Sequence, residues 1–179
     1  MAVLIYNPAS MRLQPSVLIL ACVGLTAAAA CGPQPDLRTL KLVPTMSGYY
    51  DDGVQPDGQN RLLPSMTFQL KNEGTLPITY VDLVIAYWPK GADGEKDSKQ
   101  IHGITGTPLE PGAASEPITV RSGIGFTSLY PRAEFFSRPE FVDFIIKAFA
   151  KHRGRTVSLG EHLVERRLLP AARKDGTRP

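Results

Sequence analysis

Residues 66–71 set the pattern for much of the chain. Met66, Phe68 and Leu70 alternate with Thr67, Gln69 and Lys71, the two-residue period of a strand with one buried face. Leu37 to Val43 alternates more weakly and predicts the first strand. Between them "SGYYDDGVQPDGQN" is polar and rich in turn residues, which predicts a loop. After the turn "NEGTLP", Val81, Leu83, Ile85 and Tyr87 line one strand face. Tyr80, Val84, Ala86 and Trp88 line the other. Two covered faces predict a central strand. "PKGADGEKDSKQ" predicts an exposed loop, Ile101 to Ile104 a short edge strand, "PLEPG" a turn, and Pro117 to Val120 the start of another strand. Short apolar runs broken by Gly, Pro, Asn and Asp, with no internal repeat, predict an all-β fold. The expectation is an immunoglobulin-like β-sandwich of about seven strands.

Residues 138–168 carry two patterns at once. Ser137 with Glu140 forms a capping-box sequence, and apolar residues at 141, 144, 145, 148 and 149 follow at helical spacing. On that reading the chain is α+β, with 138–168 helical. The same run also alternates: Val142, Phe144, Ile146 and Ala148 against Asp143 and Lys147, and it is rich in Phe, Val and Ile. "HRG" then suits a hairpin turn with Gly154 left-handed, and "RTVSLGEHLVERRL" the return strand. The strand reading is preferred because a sandwich needs both strands to complete its second sheet.

The N-terminal pattern is different. Ser16 to Ala30 is almost wholly apolar. It is too short for a comfortable membrane span of about 20 residues and fits the apolar region of a secretory signal. Arg12, directly after Met11, is the only basic residue before it, so Met11 is the expected true start. The run ends in Ala28, Ala29, Ala30 and Cys31. This resembles the lipobox of bacterial lipoproteins, in which small residues fit the signal peptidase and the cysteine thiol takes a diacylglyceryl group. An ordinary A-x-A cleavage site preceding a cysteine is the alternative. Cys22, the other of two cysteines, follows large residues and is the poorer candidate. The expected organisation is a signal peptide over 1–30, a lipidated tether over 31–36 with Cys31 as the lipidation site, a β-sandwich over 37–169 and a disordered tail over 170–179.

The middle of the chain also carries motifs. "FQLKNEGTLPITYVDLVIAYW", with Phe68, Asn72 and Gly74 spaced as F-x-x-x-N-x-G, is followed by "PLEPG", with Pro108, Pro111 and Gly112. Together they resemble the FxLYD-type and related immunoglobulin-like domains of bacterial envelope proteins, a family of unknown function. The resemblance covers about a third of the chain. It implies a sandwich in which the first motif turns between two core strands and the second leads into a later one. It implies no catalytic residues.

In an immunoglobulin order the loops alternate between two ends. "NEGTLP" and "KHRG" fall at the end where the first strand begins. The loops around 51–60, 91–98 and 121–140 fall at the opposite, outward end. Two of these are acidic: Asp51, Asp52 and Asp57, then Asp93, Glu95 and Asp97. The third combines Phe126, Tyr130, Phe135 and Phe136 with Arg121, Arg132 and Arg138. Aromatics beside arginine are favoured at interface hot spots. Phe126, Tyr130, Arg132, Phe135 and Phe136 are therefore the candidate partner-binding residues. The same aromatics equally suit a cap on the open end of the core.

Charge and residue chemistry narrow the classes. The chain has 20 Lys+Arg against 17 Asp+Glu, a near balance that does not point to nucleic acid. His102, His152 and His162 lack metal-type spacing. Asp93, Glu95 and Asp97 lack the calcium-loop pattern, and "SGIG" at 122–125 reads as a flexible turn. No cofactor is expected. Lys151, Arg153 and Arg155 at the near end could meet anionic headgroups, or simply be solvated. The expectation is a non-catalytic, lipid-anchored envelope protein that binds a protein partner not yet identified. An accessory subunit of a larger envelope complex, or a hydrolase with a site built from separated residues, are the alternatives.

Overall fold

The computed structural model describes residues 33–170, so the leader, Cys31 and the tail beyond residue 170 lie outside it. The chain forms two packed sheets. Strands β1 (Leu40–Val54), β2 (Asn60–Asn72), β5 (Ile118–Arg121), β6 (Phe126–Ser128) and β9 (Leu168–Leu169) make the first. Its order is β5-β2-β1-β9, with β6 also on β2. Strands β3 (Val81–Pro89), β4 (Asp97–Ile104), β7 (Phe144–His152) and β8 (Arg155–Leu163) make the second, in the order β4-β3-β7-β8. All pairings are antiparallel except β1 with β9. This is an immunoglobulin-like sandwich.

The alternation of the sequence is the core of the fold. Met66, Phe68 and Leu70 of β2 are fully buried, as are Val81, Leu83, Ile85 and Tyr87 of β3. Ile146, Ala148 and Ala150 of β7, beside β3 in the same sheet, join this core. β3 runs between β4 and β7, the central position expected of it, with its outer face only partly covered. The helical reading of 138–168 is overturned. Arg138 precedes Pro139 and is extended, at φ −77 and ψ 137, because a proline disfavours helical backbone before it. Ser137 donates its hydroxyl to the Glu134 carbonyl instead of capping a helix. β7 and β8 then form a hairpin whose two-residue turn places Arg153 at φ 47 and Gly154 at φ 78.

Two boundaries differ from the sequence reading. The first strand does not end at Val43, and 47–60 is not one loop. β1 continues to Val54 as half of a long hairpin with β2, leaving only 55–59 as the turn. Tyr49 lies fully buried within that polar-looking stretch. The supposed 91–98 loop is also shorter, because β4 begins at Asp97. The two ends of the sandwich are those the sequence order implied. The β2–β3 connection and the β7–β8 turn lie beside the start of β1, and the β1–β2 turn and the β3–β4 loop lie at the other end.

Candidate functional site

The 121–140 segment closes the outward end. β6 pairs with the start of β2, and a 3-10 turn follows over Arg132–Ser137. Gly125 is needed for that pairing, because a side chain there would collide with the Leu62 carbonyl. The glycine serves close backbone approach rather than flexibility. Phe135 is fully buried, and Phe126 and Phe136 are half-buried. Phe126 packs edge-on against Phe135 and tilted against Phe141, at 5.5 and 5.2 Å between ring centres. Phe136 meets Tyr49 and Phe141 at 5.4 and 5.2 Å. These three residues plug the core; Phe135 offers no surface to a partner.

Other residues of the segment do reach solvent. Leu129 is 77% exposed and Tyr130 43%. The Arg138 guanidinium stacks 3.2 Å from the centre of the Tyr130 ring, and Asn60 donates its side-chain amide to the Tyr130 carbonyl. Pattern reading missed Leu129, since an isolated apolar residue looks like core until its neighbours are placed.

The structure joins the 51–52 acids to arginines at this end, while Asp97 is held by uncharged donors. Arg132 Nε lies 2.9 Å from Asp51, and Arg61 pairs with Asp52 at 3.5 Å. Arg61 also donates to the Gly123 carbonyl. Asp97 accepts from the Ser122 hydroxyl at 2.8 Å and the Gly123 amide at 2.7 Å. Burial raises the Asp97 carboxyl, but those two hydrogen bonds and nearby Lys99 outweigh it and hold it below the usual range. Arg166 closes the rim, bonding Asp143 at 2.7 Å and the Phe136 carbonyl at 2.8 Å. Of the acidic residues at 93, 95 and 97, Asp97 is committed to a turn, while Asp93 and Glu95 are exposed.

A second cluster lies at the near end, on the outer face of the second sheet. Tyr80 donates to Asp82 at 2.8 Å, and Asp82 lies 2.8 Å from His102 Nδ1. Strand register makes the His–Asp contact, because Asp82 is directly opposite His102 across β3 and β4. Tyr80 and Asp82 share a face by their spacing, but the register of β4 was not readable. An Asp–His pair can orient a general base. Here, though, the hydrogen bond from Tyr80 holds Asp82 low, and Asp82 raises the tyrosine. Both effects favour an ionised acid and a neutral phenol, the opposite of an activated tyrosine. The His102 side chain is 70% exposed. His152 lies 6.5 Å from Tyr80, ring to ring, and burial lowers His162 on β8.

Compared with protein-family models and with curated proteins, the chain matches none.

Proposed function

We propose that this chain is a non-catalytic envelope lipoprotein, a tethered module that binds or helps assemble a protein partner. The observation that carries the reading is the Ala28–Ala29–Ala30–Cys31 sequence after an apolar run, with the sandwich beginning at Leu37, six residues later. So short a tether, at most about 20 Å long, keeps the near end by the membrane and turns the outward end away from it. Leu129 and Tyr130 are then the first contact surface for a partner, with Arg132 and Arg138 beside them. Tyr130 supplies amphipathic contact area already held in place by Arg138, a feature of interface anchors.

The test has two readouts. Mass spectrometry of the N-terminal peptide finds an acylated Cys31 in the wild-type chain and an unacylated, uncleaved leader in Cys31→Ser. A photocrosslinking residue at Leu129 captures one defined envelope protein in cells, and Tyr130→Ala abolishes the capture. An unmodified Cys31 overturns the anchor; unchanged capture by Tyr130→Ala overturns the contact surface.

A further inference from the structure

The β7–β8 hairpin gathers three cations that the fold leaves unspent. Lys151, Arg153 and Arg155 are exposed, and among the described residues none of them forms an ion pair. At the outward end, by contrast, Arg61, Arg132, Arg138 and Arg166 all do. The three near-end cations line an open cleft of about 360 Å³ together with Tyr80, Asp82 and Thr156. Its carboxylate, Asp82, is already engaged by Tyr80 and His102.

Arg153 adds an independent observation. It sits at the tip of the turn at φ 47, in the left-handed region where Asn or Gly is the ordinary occupant of such a turn. An arginine there strains the backbone, and among the described residues its side chain forms no ion pair that would repay the strain. Strain kept at one position directs attention to what its side chain does outside the molecule.

Position supplies the occupant. The 3-10 turn at Leu37–Thr39, where the tether enters the sandwich, packs beside β8. We propose that the hairpin rests on anionic lipid headgroups of the membrane that holds Cys31. This rests on the lipid-anchor reading above. Each basic residue near an anionic surface contributes about fivefold to its occupancy, and the effect fades beyond a Debye length of about 8 Å. Three such residues at the end of a short tether hold the sandwich in one orientation, which an acyl anchor alone does not do.

The test uses the lipid-anchored chain, purified from membranes and reconstituted into vesicles of phosphatidylcholine alone or mixed with phosphatidylglycerol. Backbone amide exchange at Lys151–Thr156 is expected to slow only on the mixed vesicles. High salt or the double variant Lys151→Gln, Arg155→Gln is expected to abolish the slowing. Arg153→Asn separates function from folding: it is expected to raise the unfolding temperature while weakening the slowing. Equal exchange on both vesicles in a chain acylated at Cys31 overturns the inference. A Cys31 peptide without acyl mass overturns the anchor reading, and the inference with it.

Discussion

The Phe144 amide donates a buried hydrogen bond to the Tyr49 hydroxyl at 3.2 Å. Tyr49 stands in β1 of one sheet and Phe144 opens β7 of the other. The bond therefore crosses the sandwich where the aromatic plug of Phe136 and Phe141 meets the core. Tyr49→Phe keeps the ring and removes only the acceptor. The amide is then buried without a partner, which costs about 1–3 kcal/mol. Chemical denaturation should show that loss with an unchanged denaturant slope.

Tyr87 gives the opposite expectation from the same residue type. It is fully buried in β3, and its hydroxyl has no hydrogen-bond partner among the described residues. Tyr87→Phe removes a desolvated polar atom and should raise stability by about 1 kcal/mol. Both phenols also set a pH dependence. Burial pushes Tyr49 from 10.0 up to about 12 and raises Tyr87 as well. A raised folded-state value means the neutral phenol is favoured by folding. That contribution is complete below the ordinary tyrosine value and is lost as pH rises through the folded values. Unfolding free energy should fall above about pH 10, and the double variant Tyr49→Phe, Tyr87→Phe should flatten that fall. A fall as steep in the variant as in the wild type would exclude these two groups as its cause.

Asn72 joins the two sequence motifs in space. Its side-chain amide donates to the Leu76 and Leu109 carbonyls, both at 2.9 Å, and its carbonyl oxygen accepts from Gly74 at 2.9 Å. Its backbone carbonyl accepts from the Gly112 amide at 2.7 Å. The asparagine of the first motif thus clamps the loop that carries the second. Its residue is fully buried. Asn72→Ala takes their side-chain partner from the Leu76 carbonyl and the Gly74 amide, leaves the Leu109 carbonyl only its bond from the Ile78 amide, and should cost about 2–4 kcal/mol. Asn72→Asp can still accept from Gly74 but faces two carbonyls with a negative charge, so it should be no better. Proteolysis of the 104–117 connection should accelerate in both.

These residues mark what the sequence made legible. Strict alternation at 66–71 and at 81–87 reported the core strands, because a period of two with one buried face has few other solutions. The β7–β8 hairpin was readable from the same alternation plus Gly154. Tyr49 was not, because the polar residues around it belong to a hairpin arm whose outer face is open to water. The composition looked like a loop, and only pairing with β2 made it a strand. The outward end was legible as to place but not as to role. Aromatic residues in a long connection fit a plug or an interface equally well. Only the packing partners Tyr49 and Phe141 separate Phe126, Phe135 and Phe136 from the exposed Leu129 and Tyr130.

Asp97 controls how firmly that exposed pair is presented. It ties the Ser122–Gly123 turn to the start of β4, and the chain runs from that turn through β6 to Leu129. Asp97→Asn retains an oxygen that can accept from Gly123 but loses the charge that strengthens both bonds. The expected loss is about 1 kcal/mol at neutral pH, the difference between charged and neutral hydrogen bonds. The carboxyl is held below its ordinary 3.8 in the folded chain. Its contribution is therefore present above that value and disappears as pH falls through the lower, folded one. Wild-type stability should decline in that acid window more steeply than that of Asp97→Asn, so the two curves should converge at low pH. Amide exchange at Gly123 and Ile124 should rise in the variant at neutral pH, while exchange in β7 stays unchanged. Faster exchange at Gly123 accompanied by weaker crosslinking from Leu129 would tie this half-buried carboxylate to the presentation of the contact surface. Faster exchange with unaltered crosslinking would leave the turn a purely structural latch.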